Sequence, residues 1–505
     1  MKKTQALFAS AFIVLMLYTK VKAQNKQSIK TVFTSEELKQ DFLALRFCLE
    51  ESHPGLYEYN SKSFIDSIFN ANYSLLNKEM TGREFMLLAC RVASTIRDGH
   101  LRVVPPKVQL DSLDNGPTAI PFNAYCIDSK IYVRKNYSTL DDKDFLGSQI
   151  ISINGHAIED FIKEFLQLFP SDGANLSHKY RLLSSSRYFT RYFSMLYGYT
   201  EQYKVEYISL NDTVHKTKIL DGLIFDKLLS IAEERYPNKI EEQKPAYFKI
   251  NEANKYAYLK IKSFDKSHYQ KSKLNFEKFL KASFKKLESA KISNLIIDVR
   301  DNGGGTDEYG RILFSYFVNK PFYYYKSLRM NKESFDCFKY TNRPNMKAPK
   351  GMLKANQEGT YDNMQHPNIG ELQPSSPAFN GTIYVLINGW CFSTTSEFLS
   401  QLHFHTNAVF IGEESGGGYY GNCSGPTPDF TLPNTKVRIE IPLMNYKMAV
   451  ENYPYVDRGL LPDYPITPSI VDKITNVDIE LNFTKKLIEK QLNPEKQTNP
   501  IDTNK

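Results

Sequence analysis

The chain has 505 residues, of which 41% are hydrophobic, 24% charged and 13% aromatic, with a formal net charge of +8. That composition excludes a largely disordered or collagen-like protein, and so small a surplus over such a length excludes the footprint of a nucleic-acid binder. The six cysteines are scattered without a CxxC pair, so zinc-type spacing is absent and they read as buried thiols.

In chain order the first element is an address. Met1-Lys2-Lys3 precedes an apolar run from Ala6 to Tyr18, and Val21-Lys22-Ala23 offers a cleavage site before Gln24. Residues 1–23 therefore read as a secretory signal peptide. The apolar run is shorter than the ~20 residues a bilayer span needs, so the expected product is exported, periplasmic or extracellular, with no stable membrane span.

Residues 34–110 read as an N-terminal helical domain. Thr34-x-x-Glu37 is a capping box ahead of Leu38, Phe42, Leu45 and Leu49, and Thr81-x-x-Glu84 repeats it before Phe85, Leu88, Val92 and Ile96. Gly99 is the expected helix stop, which puts His100 just past a helix end. His53-Pro-Gly-Leu-Tyr57 is a turn between the helices.

Residues 117–215 form a β-rich module, with the strand Lys130-Ile-Tyr-Val-Arg134, a second strand from Gly147 into the Asn154-Gly155 turn, and a helix over Ile158–Phe169. From 245 to 470 strands and helices alternate. Tyr256–Ile261, Leu295–Val299, Ile383–Ile387 and Val409–Ile411 are strands, with helical faces at Phe276–Leu287 and Ser396–Leu402 between them. This predicts an α/β layer with mainly parallel strands. Lys436–Ile441 alternates as a half-exposed strand, and the tail from about 490 reads as disordered.

Ligands gather outside the carboxyl ends of strands in such sheets, and three segments fall there. Asp298-Val-Arg-Asp-Asn-Gly-Gly-Gly305 aims backbone N–H groups at an anion, as a phosphate cradle or an oxyanion hole. Asn388-Gly-Trp-Cys-Phe-Ser-Thr-Thr-Ser-Glu397 opens a helix with hydroxyl residues. A serine there most simply caps the helix, and the GxSxG elbow is missing. Gly416-x-Gly418-x-x-Gly421 matches a dinucleotide spacing, but the Asn-Cys-Ser-Gly-Pro run after it is no helix. His403-x-His405 has no third metal ligand nearby.

Taken in order, Arg97-Asp-Gly-His100, the 298–305 loop, Asn388–Glu397, Phe410-Ile-Gly-Glu413 and Arg458-Gly-Leu-Leu-Pro-Asp463 resemble the C-terminal processing (tail-specific) serine peptidase family. The resemblance spans roughly residues 35–470. It is nearest to the exported members with a His-Pro-Gly-Leu-Tyr turn and an Asp-Gly-His motif. It implies a crotonase/ClpP-like core over 245–470, the helical domain at 34–110 and a degenerate PDZ-like module over 117–215.

Carried over residue by residue, the resemblance makes Ser393 the nucleophile of a serine-type peptidase. Glu397 stands four residues after it where the family has three, so Ser396 and Thr394 remain rivals. The tail-specific enzymes carry a Gly-Lys-Gly lysine where this chain has Ser415-Gly-Gly-Gly-Tyr-Tyr420. A Ser–Lys dyad is therefore unavailable, and His100 becomes the base, as in the tricorn-like branch. The resemblance places the orienting acid at Glu451, with Asp457 as alternative, and the oxyanion donors at Gly303 or Gly304 and Thr394. It implies a peptide or protein substrate and neither metal nor cofactor. The same fold also resembles the repeats of interphotoreceptor retinoid-binding protein. A non-catalytic binder of apolar ligands, or a scaffold holding peptide tails, is therefore the alternative.

Overall fold

The computed structural model describes residues 30–138, 143–237 and 243–492. The expected signal peptide lies outside them. The C-terminal expectation needs correction at its start, because a helix Ile479–Leu492 crosses the residues read as the beginning of a disordered tail; residues 493–505 lie outside the described chain. Among the described residues no helix is long and apolar enough to cross a membrane. All six cysteines are buried thiols.

The central layer is a six-stranded sheet in the order Ala246–Asn251, Tyr256–Ile261, Asn294–Asp298, Thr382–Ile387, Val409–Gly412, Tyr464–Pro465. The first pair is antiparallel and every later pair is parallel, with Ile297 opposite Val385 and Asp298 opposite Leu386. Parallel strands are covered on both faces, and alternation along them assigns the faces. Leu295, Ile297, Val385 and Ile387 enter the main core, whereas Ile296, Leu386 and Ile411 pack against Ile488 of the C-terminal helix. Arg300 ties that helix to the strand end. Its guanidinium meets Asp298 at 2.7 Å, Asp478 at 2.8 Å and Glu480 at 2.9 Å. With its donors engaged in this way, Arg300 is committed to the scaffold.

The N-terminal helices are Ser35–Ser52, Lys62–Ser74 and Gly82–Ile96, and both capping boxes form with reciprocal hydrogen bonds. The third helix does not stop at Gly99. It ends at Ile96, with Arg97 in the left-handed region at φ 63°. Gly99 serves close packing instead, since a Cβ there would lie 2.8 Å from the Phe392 ring.

Between 122 and 221 a six-stranded antiparallel sheet has the order Phe122–Ile127, Lys130–Asn136, Gln149–Ile153, Gln202–Ile208, His215–Asp221, with His156–Ala157 pairing onto Gln149–Ile153 off that path. Helices Ile158–Leu168, Ser177–Leu183 and Ser186–Tyr197 lie within it in sequence. One small sheet decides where His100 goes. Arg102–Val104 pairs antiparallel with Arg438–Glu440, which pairs with Asp429–Thr431. This long-range pairing carries the end of the helical domain onto the carboxyl ends of the central strands. The alternating 436–441 run is thus a strand, trimmed to three residues.

Candidate active site

The strand Thr382–Ile387 ends at Asn388, whose side chain locks two turns together. Its Oδ1 accepts from the N–H groups of Asp301 (3.1 Å) and Trp390 (3.1 Å), and its Nδ2 donates to Asp301 Oδ1 at 2.9 Å. The chain then turns through Phe392 and Ser393 into the helix Thr394–His405. Ser393 sits at φ 56°, ψ −129°, where non-glycine residues rarely stand, and its side chain makes no capping bond. The ordinary reason for a serine at a helix start is therefore absent here.

The three hydroxyls left open by the sequence differ in commitment. Thr394 Oγ1 donates to Gly305 O at 3.0 Å. Ser396 Oγ donates to Cys391 O at 2.7 Å and accepts the Gly417 N–H at 3.0 Å, fully buried. Ser393 Oγ has no hydrogen-bond partner among the described residues. Replacing Ser396 with Ala should lower stability by ~1–3 kcal/mol through the stranded backbone groups, which a denaturant midpoint would measure.

The glycine loop lies directly on this turn. A Cβ on Gly304 (φ +96°) would fall 2.7 Å from Phe392 O and 2.8 Å from Ser393 Cβ, so only glycine fits. The Gly304 N–H is already spent on Asn302 Oδ1 at 3.0 Å. The N–H groups of Gly303 and Thr394 donate to nothing among the described residues, and space opens around Gly303. Of the expected oxyanion donors, Gly303 and Thr394 are therefore available and Gly304 is the packing element. The second glycine run plays a packing role too: Gly416 and Gly417 lie so close to Gly389 O and Ser396 Oγ that a Cβ would sit 2.3 and 2.5 Å from them.

His100 is brought to the residue before Ser393, its ring stacked on Phe392 at 4.5 Å between centroids. Phe392 also stacks on the buried His178 at 4.3 Å. The Nδ1 of His100 is buried without a hydrogen-bond partner. Burial lowers the His100 pKa to about 4, partly offset by the charge of Asp98. His178 is lowered to about 4 for the same leading reason, and its Nδ1 faces Gly389 O at 3.0 Å.

Two buried carboxylates flank the imidazole. Asp98 Oδ1 accepts the N–H groups of His100 (2.8 Å) and Leu101 (3.2 Å), and its Oδ2 lies 3.3 Å from His53 Nε2. Asp172 accepts from Gly99 (2.8 Å) and Gly418 (3.0 Å). Burial and the neighbouring Asp98 charge push Asp172 up to about 7. Oxygens of both acids and a ring nitrogen of His100 lie within 4.8 Å of one another. Asp98→Asn should lower stability by ~2 kcal/mol, the order of hydrogen bonds to a charged group, with the midpoint of thermal unfolding as the check.

Glu451, expected as the orienting acid, is exposed and forms no hydrogen bond or ion pair among the described residues. Asp457 faces Arg97 at 3.9 Å, and neither touches His100. The carboxylates beside the His100 ring are instead those of Asp98 and Asp172. Glu397 serves elsewhere, accepting from Tyr325 (2.6 Å) and Asn422 (2.9 Å), and burial with the nearby Asp307 raises it to about 7. The sequence reading missed Asp172 and His178 and took His53 as part of a turn. For Asp172 the faint signal is its place before Gly173, in a turn two residues past Pro170.

His53, Asp98 and Cys423 also bring donor atoms within 4.8 Å of one another. The Gly55 N–H donates to His53 Nδ1 at 3.2 Å. Burial and the Asp98 charge hold the Cys423 thiol protonated. His403 Nδ1 pairs with Tyr419 Oη at 2.8 Å.

Residues 255–465 match the sequence model of Peptidase family S41. Among solved structures the chain is similar to mature CPAF, at 14% identity and TM-score 0.57, covering 92% of this chain and 98% of that one. Mature CPAF complexed with lactacystin gives 14% and 0.59, with 91% and 99% covered. The photosystem II D1 C-terminal processing protease gives 15% and 0.42, with 87% and 97% covered. No curated protein sequence matches. The family match over residues 255–465 supports a serine-type peptidase, and the mature CPAF structures share the fold.

Proposed function

We propose that this peptidase-like chain is an exported serine endopeptidase in which Ser393 is the nucleophile and His100 the general base. One observation carries the assignment: Ser393 alone among the three candidate hydroxyls is uncommitted, and it stands in a strained turn beside two unspent N–H groups. In this reading Ser393 Oγ attacks the peptide carbonyl carbon while His100 takes its proton, and the imidazolium then hands that proton to the leaving amine. The N–H groups of Gly303 and Thr394 hold the oxyanion, with the positive end of the Thr394–His405 dipole behind them. Asp98 fixes the backbone of the His100 turn, and the Asp98–Asp172 pair supplies negative charge to the imidazolium that forms.

The wider reading keeps the crotonase/ClpP-like description for the parallel sheet and the PDZ-like description for the antiparallel sheet at 122–221. It also keeps the tail-specific branch without the catalytic lysine, and export by residues 1–23. Labelling by a fluorophosphonate tests it. The parent chain and Ser396→Ala should label, and Ser393→Ala should not. Labelling that survives Ser393→Ala would refute the nucleophile. An unlabelled parent that takes up an apolar ligand saturably would favour the retinoid-binding-protein-like alternative.

A further inference from the structure

The strand Arg102–Val104 begins two residues past His100 and ends its three-stranded sheet, so its outer edge pairs with no strand among the described residues. Over the face of this strand and its paired neighbour lies a cavity of about 170 Å³, lined by Arg102–Val104 and, across the ladder, by Arg438 and Glu440. Its apolar wall is made by Phe169, Tyr192 and Met195, all buried. The volume resembles that of an engineered cavity of ~150 Å³ that takes up benzene, so a phenyl or branched aliphatic side chain fills it. A chain of ring contacts links the cavity to the reacting groups. Phe169 meets His178 edge-on at 6.4 Å, and His178 stacks on Phe392, the residue before Ser393.

The rim carries charge that the fold does not use. Arg102 forms no ion pair or hydrogen bond among the described residues, and Arg191 has only Asp114, at 3.9 Å. Arg438 is already held by Asp429 at 2.5 Å. Glu440 stands across from Arg102 in the strand register and forms no ion pair among the described residues. Two loosely held guanidiniums against one carboxylate leave the rim net positive, and guanidinium favours a carboxylate partner.

We propose that this cavity is a specificity subsite. A substrate peptide adds along the free edge of Arg102–Val104, sets a bulky apolar side chain into the cavity and brings a carboxylate against Arg102 and Arg191. The carboxylate comes from an acidic side chain or from the chain terminus. The inference rests on the serine-peptidase reading for its catalytic meaning, but its binding test does not.

The test uses full-length Ser393→Ala protein and fluorescein-labelled decapeptides that pair Phe or Ala with Glu or Gln, each as free acid and as C-terminal amide. Fluorescence anisotropy should give a Kd about tenfold tighter for Phe than for Ala, a discrimination typical of apolar pockets. It should also weaken severalfold when the recognised carboxylate is removed. Loss on Glu-to-Gln exchange identifies an acidic side chain, and loss on amidation identifies the terminus. In the Ser393→Ala background, Arg102→Gln should erase the carboxylate preference while keeping that for Phe, and Met195→Trp should do the reverse. Equal Kd values for all peptides, or preferences untouched by both variants, would overturn the subsite. Fluorophosphonate labelling of the parent separates the two ideas. Labelling with flat Kd values fails the subsite alone, and selective binding without labelling fails the peptidase reading alone.

Discussion

His100→Gln is expected to cut kcat/KM by ~10⁴-fold, the upper range for loss of a general base, while His178→Gln, whose ring is engaged with Gly389 O, costs far less. The pH profile makes the prediction specific. Burial penalises the imidazolium, so His100 is lowered to about 4. A base must be neutral to accept the serine proton, and His100 is therefore competent from about pH 4 upward. The acid limb of kcat/KM should fall near pH 4 rather than near the ~6.5 of an unperturbed histidine. An acid limb at 6.5, or full activity in His100→Gln, would remove this histidine from the mechanism.

Stability over the same interval should behave differently. Between about pH 4 and 6.5 the unfolded chain binds more protons at His100 and His178 than the folded one, which makes stability rise with pH. Asp172 and Glu397, both raised to about 7, bind more protons in the folded chain and make it fall. The slopes oppose, so these four groups leave stability nearly flat while activity changes. Asp172→Asn removes one falling contribution, and its unfolding midpoint should climb across that interval more steeply than the parent's.

Gly304→Val should lower kcat by ~10²-fold or more, the scale of a lost oxyanion donor. The N–H of Gly304 is not itself one of the proposed donors; the effect arises because its Cβ would fall on backbone. Phe392 O at 2.7 Å and Thr394 N at 3.0 Å must move, and with them the Ser393 turn. The left-handed φ of +96° adds ~1–3 kcal/mol of strain for a β-branched residue. Gly303→Ala is the folding control, since its Cβ meets nothing within 4 Å, and it should leave the unfolding midpoint near the parent's. Wild-type kinetics in Gly304→Val would remove the loop from the oxyanion site.

Local chemistry was readable in the sequence wherever a few neighbouring residues carry it. The capping boxes at Thr34 and Thr81, the apolar runs at 295–299 and 383–387, and the strand–glycine–helix junctions depend on spacing within one element, and they form as the spacing predicts. The same logic singled out the 303–305 glycines and the 393–396 hydroxyls as candidates, whereas His100 entered through the family resemblance. It could not rank those hydroxyls, because their commitments run to Cys391 O, Gly417 N and Gly305 O, two of which lie far along the chain or on another loop.

What tertiary structure alone decided is which charges lie beside the imidazole. Asp98, Asp172 and His53 come from separate segments, and they meet through contacts between those segments: Asp172 accepts from Gly99 and Gly418, and Asp98 lies 3.3 Å from His53. Glu451 suited the acid role by sequence position but stands in solvent. The reason is physical: spacing encodes which side chains share a face within an element, whereas burial, and hence pKa and hydrogen-bond commitment, depends on what the rest of the chain folds over them.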